Sequence, residues 1–310
     1  MTTTTMASAA TSPPPLPPSF QLYQGDAATV LKDSFARESV DMVFCSPPYW
    51  QLRGSTEILA GEIGLEESYK EYLGKVLAVF YEVHRALKRT GALFIVINDT
   101  YNTPKIGNTN GIPTSRGSGI VKQKAGMHEH GTSGINKKLQ SGIVPNSALQ
   151  IPQRLAIAMI DSGKWCLRND IIWYKRNGQP NTSSSRFGLG DYEHIYFFTK
   201  QSAGYYFKPQ FEPFTSAKGK QKHKRQVWDI PTQPSKEQHY SQFPLALCNL
   251  CIDAGCPESG MVCDPFMGSG TTGLAALQAG RNFIGIDISP KFVEIARKRL
   301  EFYGGQNRLF

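Results

Sequence analysis

The chain has 310 residues, 40% of them hydrophobic and 19% charged, which is enough to bury a large core and excludes a fibrous or wholly disordered protein. No run approaches the ~18 consecutive apolar residues that would span a bilayer, and the N-terminus lacks the charged-then-apolar order of a secretory signal. Lys and Arg outnumber Asp and Glu by 34 to 25, a net charge of +9, and the excess is concentrated in two blocks. Five basic residues stand against one acid from Arg116 to Lys138, and seven against one from Lys200 to Arg225. Such blocks fit a polyanionic partner, nucleic acid, with a solvated loop as the bland alternative. Six scattered cysteines make no disulfide framework and read as reduced thiols.

Residues 1–18 are a Thr/Ala/Ser/Pro mixture that cannot bury enough apolar surface to order itself, so they are expected to form a disordered tail ahead of one catalytic domain over 19–310. A short strand is expected at 20–23 and a helix at 27–34. The apolar run Val40 to Cys45 then ends abruptly at Ser46-Pro47-Pro48, as a buried strand running into a rigid loop does. Tyr72, Leu73, Val76, Val79, Phe80, Val83 and Leu87 share one helical face, with Gly91 as the expected stop, and 92–97 reads as another buried strand. The stretch 98–146 is rich in Gly, Ser, Thr, Asn and Lys without apolar periodicity, an insertion with its body at about 102–146. A helix at 153–162 and strands at 167–174 and 194–199 follow, then a second basic, irregular insertion at 201–236. Residues 243–254 are apolar enough for a buried helix, and 260–288 complete a strand, Gly-rich turn, helix and strand. Parallel strands linked by helices imply an α/β doubly wound sheet.

The Gly-rich turn is the most readable part. Gly268, Gly270 and Gly273 satisfy G-x-G-x-x-G between a strand and a helix, an arrangement that lets a ligand approach backbone N–H groups at a helix N-terminus. Asp287 ends the next strand, where a carboxylate can accept both hydroxyls of a ribose. A dinucleotide and a purely structural turn are both open at this point. A phosphate-cradling loop would need a lysine, and none lies between Asp264 and Gly280. Asp264 at the mouth of the turn would repel phosphate and welcome an ammonium group. A ligand with an amino group, a carboxylate and a ribose satisfies these features, and S-adenosylmethionine is such a ligand.

Ser46-Pro47-Pro48-Tyr49-Trp50 should sit at the carboxyl edge of the sheet, where ligands of open α/β folds bind. The Ser46 hydroxyl and the Pro47 carbonyl can both accept hydrogen bonds from one amino group, and Tyr49 offers a flat face for a ring. That makes a pocket for a planar amine; a Pro-rich structural turn is the alternative. Cys45 precedes the serine on the strand and is not expected to be a nucleophile. Cys248 and Cys251, with Cys256 and Cys263 beyond, fall on an apolar helix and a core strand and read as buried thiols rather than a zinc site. The six histidines form no H-x-E or H-E-x-x-H pattern, and no metal is expected.

SPPYW followed far downstream by DPFMGSGTTGLAAL resembles the amino-methylating DNA methyltransferases, the permuted beta group in which the catalytic loop precedes the cofactor turn. The resemblance runs from Phe20 to about Leu300, through Gly25-Asp26, the block from Leu167 to Lys200, and His239-Tyr240-Ser241-Gln242-Phe243-Pro244. It implies a Rossmann-like, mostly parallel seven-stranded sheet that holds S-adenosylmethionine, DNA as partner, and a target base flipped into the pocket. It places Asp264, Phe266, Gly268, Ser269, Gly270, Thr271 and Thr272 at the methionine end of the cofactor, Asp287 at the ribose and Asp26 on the adenine side, with Ser46, His239 and Phe243 also lining the site. The catalytic group would be Ser46, Pro47, Pro48 and Tyr49. A loop that starts with Ser usually goes with the N4 amine of cytosine, one that starts with Asp or Asn with the N6 amine of adenine.

Trp50, Lys175, Arg186, Lys218, Lys220, Lys222, Lys224 and Arg225 are the expected DNA contacts. The run Lys218 to Arg225 also reads as a nuclear import signal or a solvated loop. The low-complexity tail leans the expected location towards a eukaryotic nucleus, with bacterial cytoplasm as the alternative. Two rivals belong to other classes: a nucleic-acid-binding protein on a degenerate methyltransferase fold, which would carry a broken loop or turn, and a dinucleotide-dependent oxidoreductase, which leaves SPPYW unexplained.

Overall fold

The computed structural model describes residues 17–51, 59–103, 139–178, 187, 190–215, 219–233 and 243–306. In chain order the elements are β1 (Phe20–Gln24), α1 (Ala27–Ser34), β2 (Val40–Cys45), α2 (Tyr69–Ala86), β3 (Leu87–Ile97), α3 (Ile151–Asp161), β4 (Cys166–Tyr174) and β5 (Tyr192–Thr199). Then come β6 (Phe211–Thr215), β7 (Gln221–His223), β8 (Val227–Asp229), α4 (Leu245–Gly255), β9 (Met261–Asp264), α5 (Thr271–Gln278), β10 (Asn282–Asp287) and α6 (Pro290–Gln306). Among the described residues one eight-stranded sheet runs β1-β10-β9-β2-β3-β5-β4-β8, and β6 and β7 form a separate hairpin. Within the large sheet β5 runs antiparallel to both its neighbours, and the other pairings are parallel. No helix among the described residues is long and apolar enough to cross a membrane.

The side-chain period of two splits the central strands between two cores. Val43 and Cys45 of β2 and Leu93, Ile95 and Ile97 of β3 face α1, α2 and α3. Met42 and Phe44, and Ala92, Phe94 and Val96, face α4, α5 and α6. Helices on both faces are what a doubly wound sheet requires, since a strand buried on both sides must be apolar at every position. Across β3 and β5, Phe94 and Phe197 stack with centroids 4.5 Å apart.

Helix α2 starts where the sequence supplies a capping box, Ser68 accepting from the Glu71 N–H while Glu71 accepts from the Ser68 N–H. Its end corrects the expectation for Gly91. The helix stops at Ala86, and Leu87 already pairs with Val40 as the start of β3. Gly91 lies inside that strand, at a bulge where the register jumps between Val40 and Met42. A Cβ there would come within 2.6 Å of Leu87 Cδ1 and 2.9 Å of the Asp41 carbonyl, so the glycine serves close approach, not helix termination.

The insertion at 201–236 is not irregular throughout. It contains the β6–β7 hairpin and β8, an eighth strand beyond the seven implied by resemblance, parallel to β4 and anchored by buried Trp228. The ends of the other insertion are clasped together. Asn102, 2% exposed, donates through Nδ2 to the Gln140 and Ile143 carbonyls, and its Oδ1 accepts from the Gln140 N–H at 2.7 Å. Gln140 in turn accepts from the Tyr69 N–H and donates to the Glu67 carbonyl at the head of α2. Residues 104–138 of this insertion and 1–16 of the expected tail lie outside the described residues. Just before β1, Ser19 bonds Asn282 and so ties the start of that strand to β10.

Candidate active site

The parallel strands β1, β10, β9, β2 and β3 all end on one edge, and that edge collects the expected site residues. Strand β9 ends at Asp264, 1% exposed, whose carboxylate accepts from the Phe266 N–H at 3.0 Å and from Thr272 Oγ1 at 2.6 Å. Burial pushes this carboxyl up to about 7; the two hydrogen bonds oppose the shift and the charge of Asp287 adds to it. Strand β10 ends at Asp287, which accepts from the Gly268 N–H and the Ser289 N–H, each at 2.9 Å. The two acids therefore brace the Gly-rich turn from both sides. Gly270 caps α5 with φ of 81°, a left-handed conformation in which a side chain would also press on Ala296. Ser269, Thr271 and Thr272 are buried in the turn. Arg299, which no motif or spacing singles out, reaches from α6 to the Ser269 carbonyl and Thr271 Oγ1.

Asp26 follows β1, where the Gly25 N–H donates to the Asp287 carbonyl and docks the end of the strand beside that residue. Its carboxylate caps α1, accepting from Thr29 N–H and Oγ1. Phe243 meets Phe44 edge-on, and Phe266 packs against the opposite core. A carboxylate has about four acceptor sites, so bracing the turn through two backbone N–H groups is compatible with holding ribose hydroxyls. Acids at the ends of β9 and β10, left-handed glycines between them and open space above Gly268 fit a nucleoside that carries a free amino acid group.

The SPPYW loop leaves β2, which lies directly beside β9 in the sheet. Ser46 and Tyr49 are half-buried and Pro47 is buried. Residues 59–66 fold against it: the Gln51 N–H donates to the Gly64 carbonyl at 2.7 Å, and the Gly64 Cα position leaves only 3.2 Å between an added Cβ and the Tyr49 carbonyl. Glu66 holds that support, accepting from the Gly64 N–H and pairing with Lys75 at 3.1 Å. Trp50 is a correction. Its ring is 3% exposed against Tyr69, and its Nε1 donates to the Glu66 carbonyl, so it anchors the loop to the core and does not face DNA.

Lys175 pairs with Glu193 at 3.0 Å and lies over the Trp173 ring, and the other oxygen of Glu193 accepts from the Tyr49 hydroxyl at 2.6 Å. Nearby, His194 pairs with Asp170 at 2.8 Å. Lys220 and Lys222 flank or lie on β7, and Lys224 pairs with Glu212, whose carboxyl is held below its ordinary range first by the Arg225 N–H. The hairpin is rooted at the opposite edge of the sheet from the SPPYW loop, through Tyr206 N–H to the Thr90 carbonyl and Lys208 N–H to the Ala254 carbonyl. These cations thus stand on a flank instead of lining the pocket. Arg186, Lys218 and His239 lie outside the described residues. Cys45, Cys248, Cys251 and Cys263 are buried, and desolvation holds each thiol protonated, as a core role requires.

A family model described as DNA methylase, covering N6 and N4 methylation, matches residues 40–298. The chain belongs to the N6/N4 DNA methylase family. It is 32% identical over 283 residues to the type II methyltransferase M.SmaI of Serratia marcescens, covering 91% of each chain. It is 35% identical to M.XycI of Xanthomonas campestris pv. cyanopsidis, covering 92% of this chain and 88% of that one. The DNA adenine methyltransferase YhdJ of Escherichia coli is 29% identical, with 90% and 82% covered. In fold, the PvuII DNA methyltransferase (cytosine-N4-specific) superposes with a TM-score of 0.62 at 20% identity, covering 91% and 86%. TTHA0409 of Thermus thermophilus, complexed with S-adenosyl-L-methionine, superposes at 0.56 with 24% identity, covering 91% and 94%. S-adenosylmethionine is the cofactor of this methylase fold, and the residues at the β9–β10 edge suit it. The relatives named are bacterial and lend no support to the nuclear location.

Proposed function

We propose that this methylase transfers a methyl group to the exocyclic N4 amine of cytosine in DNA. The observation that carries the reading is the position of Ser46-Pro47-Pro48-Tyr49 at the end of β2, one strand (~4.8 Å) from the turn braced by Asp264 and Asp287. S-adenosylmethionine, when bound, supplies an electrophilic methyl group on a positively charged sulfur. Asp287 would hold its ribose, Asp264 its ammonium group and Asp26 its adenine side, with Phe243, Phe266 and the 268–272 turn enclosing it.

An exocyclic amine is a poor nucleophile because its lone pair is delocalised into the ring. Ser46 Oγ and the Pro47 carbonyl, accepting hydrogen bonds from its two N–H groups, favour a pyramidal nitrogen whose lone pair points out of the ring plane. Pro47 has no N–H to compete, and Tyr49 holds the ring by stacking. A neutral Ser46, able to donate as well as accept, favours cytosine; the cytosine-N4-specific PvuII enzyme as a structural neighbour supports it. YhdJ among the relatives favours a second reading, the N6 amine of adenine. Mass spectrometry of nucleosides from treated, unmodified DNA is expected to show N4-methylcytosine. A dominant N6-methyladenine peak would reassign the base, and methylation of RNA alone would overturn DNA as substrate.

The buried acid gives this reading a pH signature. With its carboxyl raised from 3.8 to about 7, Asp264 in the cofactor-free fold keeps a proton that the unfolded chain has lost. Its contribution to stability is complete below the unfolded value and is lost as pH rises through about 7. An ammonium partner needs the ionised form. Cofactor affinity is therefore expected to rise with pH up to about 7, by at most about tenfold per unit, and to level off above it. Calorimetry in buffers of different ionisation heat should detect proton release on the acid side, and Asp264→Asn should abolish it. An unchanged pH slope in that variant would place the ammonium elsewhere.

A further inference from the structure

We infer that Glu193 is a positioning residue for the base-holding ring of Tyr49, an inference that rests on the stacking role proposed above for Tyr49. The two prolines fix the backbone of the SPPYW loop but leave the torsions of the next side chain open. What fixes the ring is outside the loop. The Tyr49 hydroxyl donates to Glu193 Oε2 at 2.6 Å, a length typical of a charge-assisted bond, while Glu193 Oε1 accepts from Lys175 at 3.0 Å. The ring packs by part of its surface on the core layer beneath it. Apolar packing and a charge-assisted hydrogen bond thereby act together on the orientation.

The tether is hard to explain as a stabilising device. Glu193 is 9% exposed near the head of β5, a strand buried from Glu193 to Thr199, and Lys175 leaves β4 beside it, where Trp173 and Glu193 are register partners. Burying an acid and a base there is close to neutral for folding, because desolvation offsets their attraction; an apolar pair would serve the sheet as well. An apolar pair would not hold a phenol. Lys175 holds one oxygen of the carboxylate, the other oxygen holds the phenol hydroxyl, and the ring is thereby kept in place for the incoming base.

The test measures single-turnover methyl transfer and cofactor dissociation constants for Tyr49→Ala, Tyr49→Phe, Glu193→Leu, Glu193→Gln and the double variant Tyr49→Phe/Glu193→Leu, with thermal melts to monitor folding. Tyr49→Phe and Glu193→Leu are each expected to lower transfer roughly tenfold with cofactor affinity unchanged. The double variant should fall no further than the single ones, and Glu193→Gln, whose amide oxygen still accepts the phenol, should recover part of the loss. If Glu193→Leu does not fold, Tyr49→Phe and Glu193→Gln carry the same comparison. Losses that multiply in the double variant would overturn the inference. Full transfer by Tyr49→Phe beside an impaired Tyr49→Ala would overturn it while sparing the stacking role. Full transfer by Tyr49→Ala would remove both.

Discussion

Ser46→Ala is expected to lower the methyl-transfer rate on the order of 10²-fold while cofactor affinity stays within about twofold. The asymmetry follows from the separation of the two halves of the site. Apart from Phe243, just ahead of α4, the residues proposed to hold the cofactor follow β1, β9 and β10, whereas Ser46 follows β2 and addresses the base. Its hydroxyl is needed most where the amine becomes pyramidal, so its loss is felt in the transition state more than in either bound ground state. Half-buried Ser46 contributes little packing, and the melting temperature should barely move. Rapid-quench transfer assays alongside calorimetric cofactor titration decide the matter; equal losses in both quantities would contradict the role given to Ser46.

Asp287→Ala should have the opposite profile, weakening cofactor binding by roughly 10²-fold with DNA affinity nearly unchanged. Two losses combine. The ribose hydroxyls forfeit a charged acceptor, and the Gly268 and Ser289 N–H groups, now bonded to the carboxylate, lose their brace, so the turn that carries Gly268 loosens. Asp287→Asn separates these terms, because one amide oxygen can still brace the turn but carries no charge. Cofactor titration and gel-shift binding of DNA are the two readouts. Unaltered cofactor affinity in Asp287→Ala would show that the ribose lies elsewhere.

What could be read from the sequence was local and strongly patterned. The strand–turn–helix–strand from β9 to β10 and the buried strand that runs into SPPYW announce themselves through apolar runs cut by glycine or proline, and both lie where expected on the carboxyl edge. What escaped depended on partners distant in the chain. Gly91 looks like a helix stop only if the pairing of Leu87 with Val40 is unknown. Trp50 reads as a DNA contact until its ring nitrogen is seen to bond the Glu66 carbonyl. Strand β8 is three residues long, too short for any periodicity, and exists because Trp228 is buried and β4 offers an open edge. Glu193 lies just ahead of the strand expected at 194–199, and its partners come from the end of β4 and from the loop after β2, which no spacing rule connects.

The clasp between Asn102 and Gln140 makes the enzyme divisible into parts that can diverge at different speeds. With both ends of the intervening chain held at one buried asparagine, the sheet experiences the insertion as a fixed pair of attachment points. Lengthening a segment whose ends are fixed costs only ~0.6 kcal/mol per doubling, so the fold constrains the length of chain between the clasp points only weakly. A change of length there leaves the clasp, SPPYW and the Gly-rich turn in place. The same clasp grips the head of α2 through Gln140, next to the Glu66 that supports the SPPYW loop, so the described ends of the insertion and that support meet at one helix terminus.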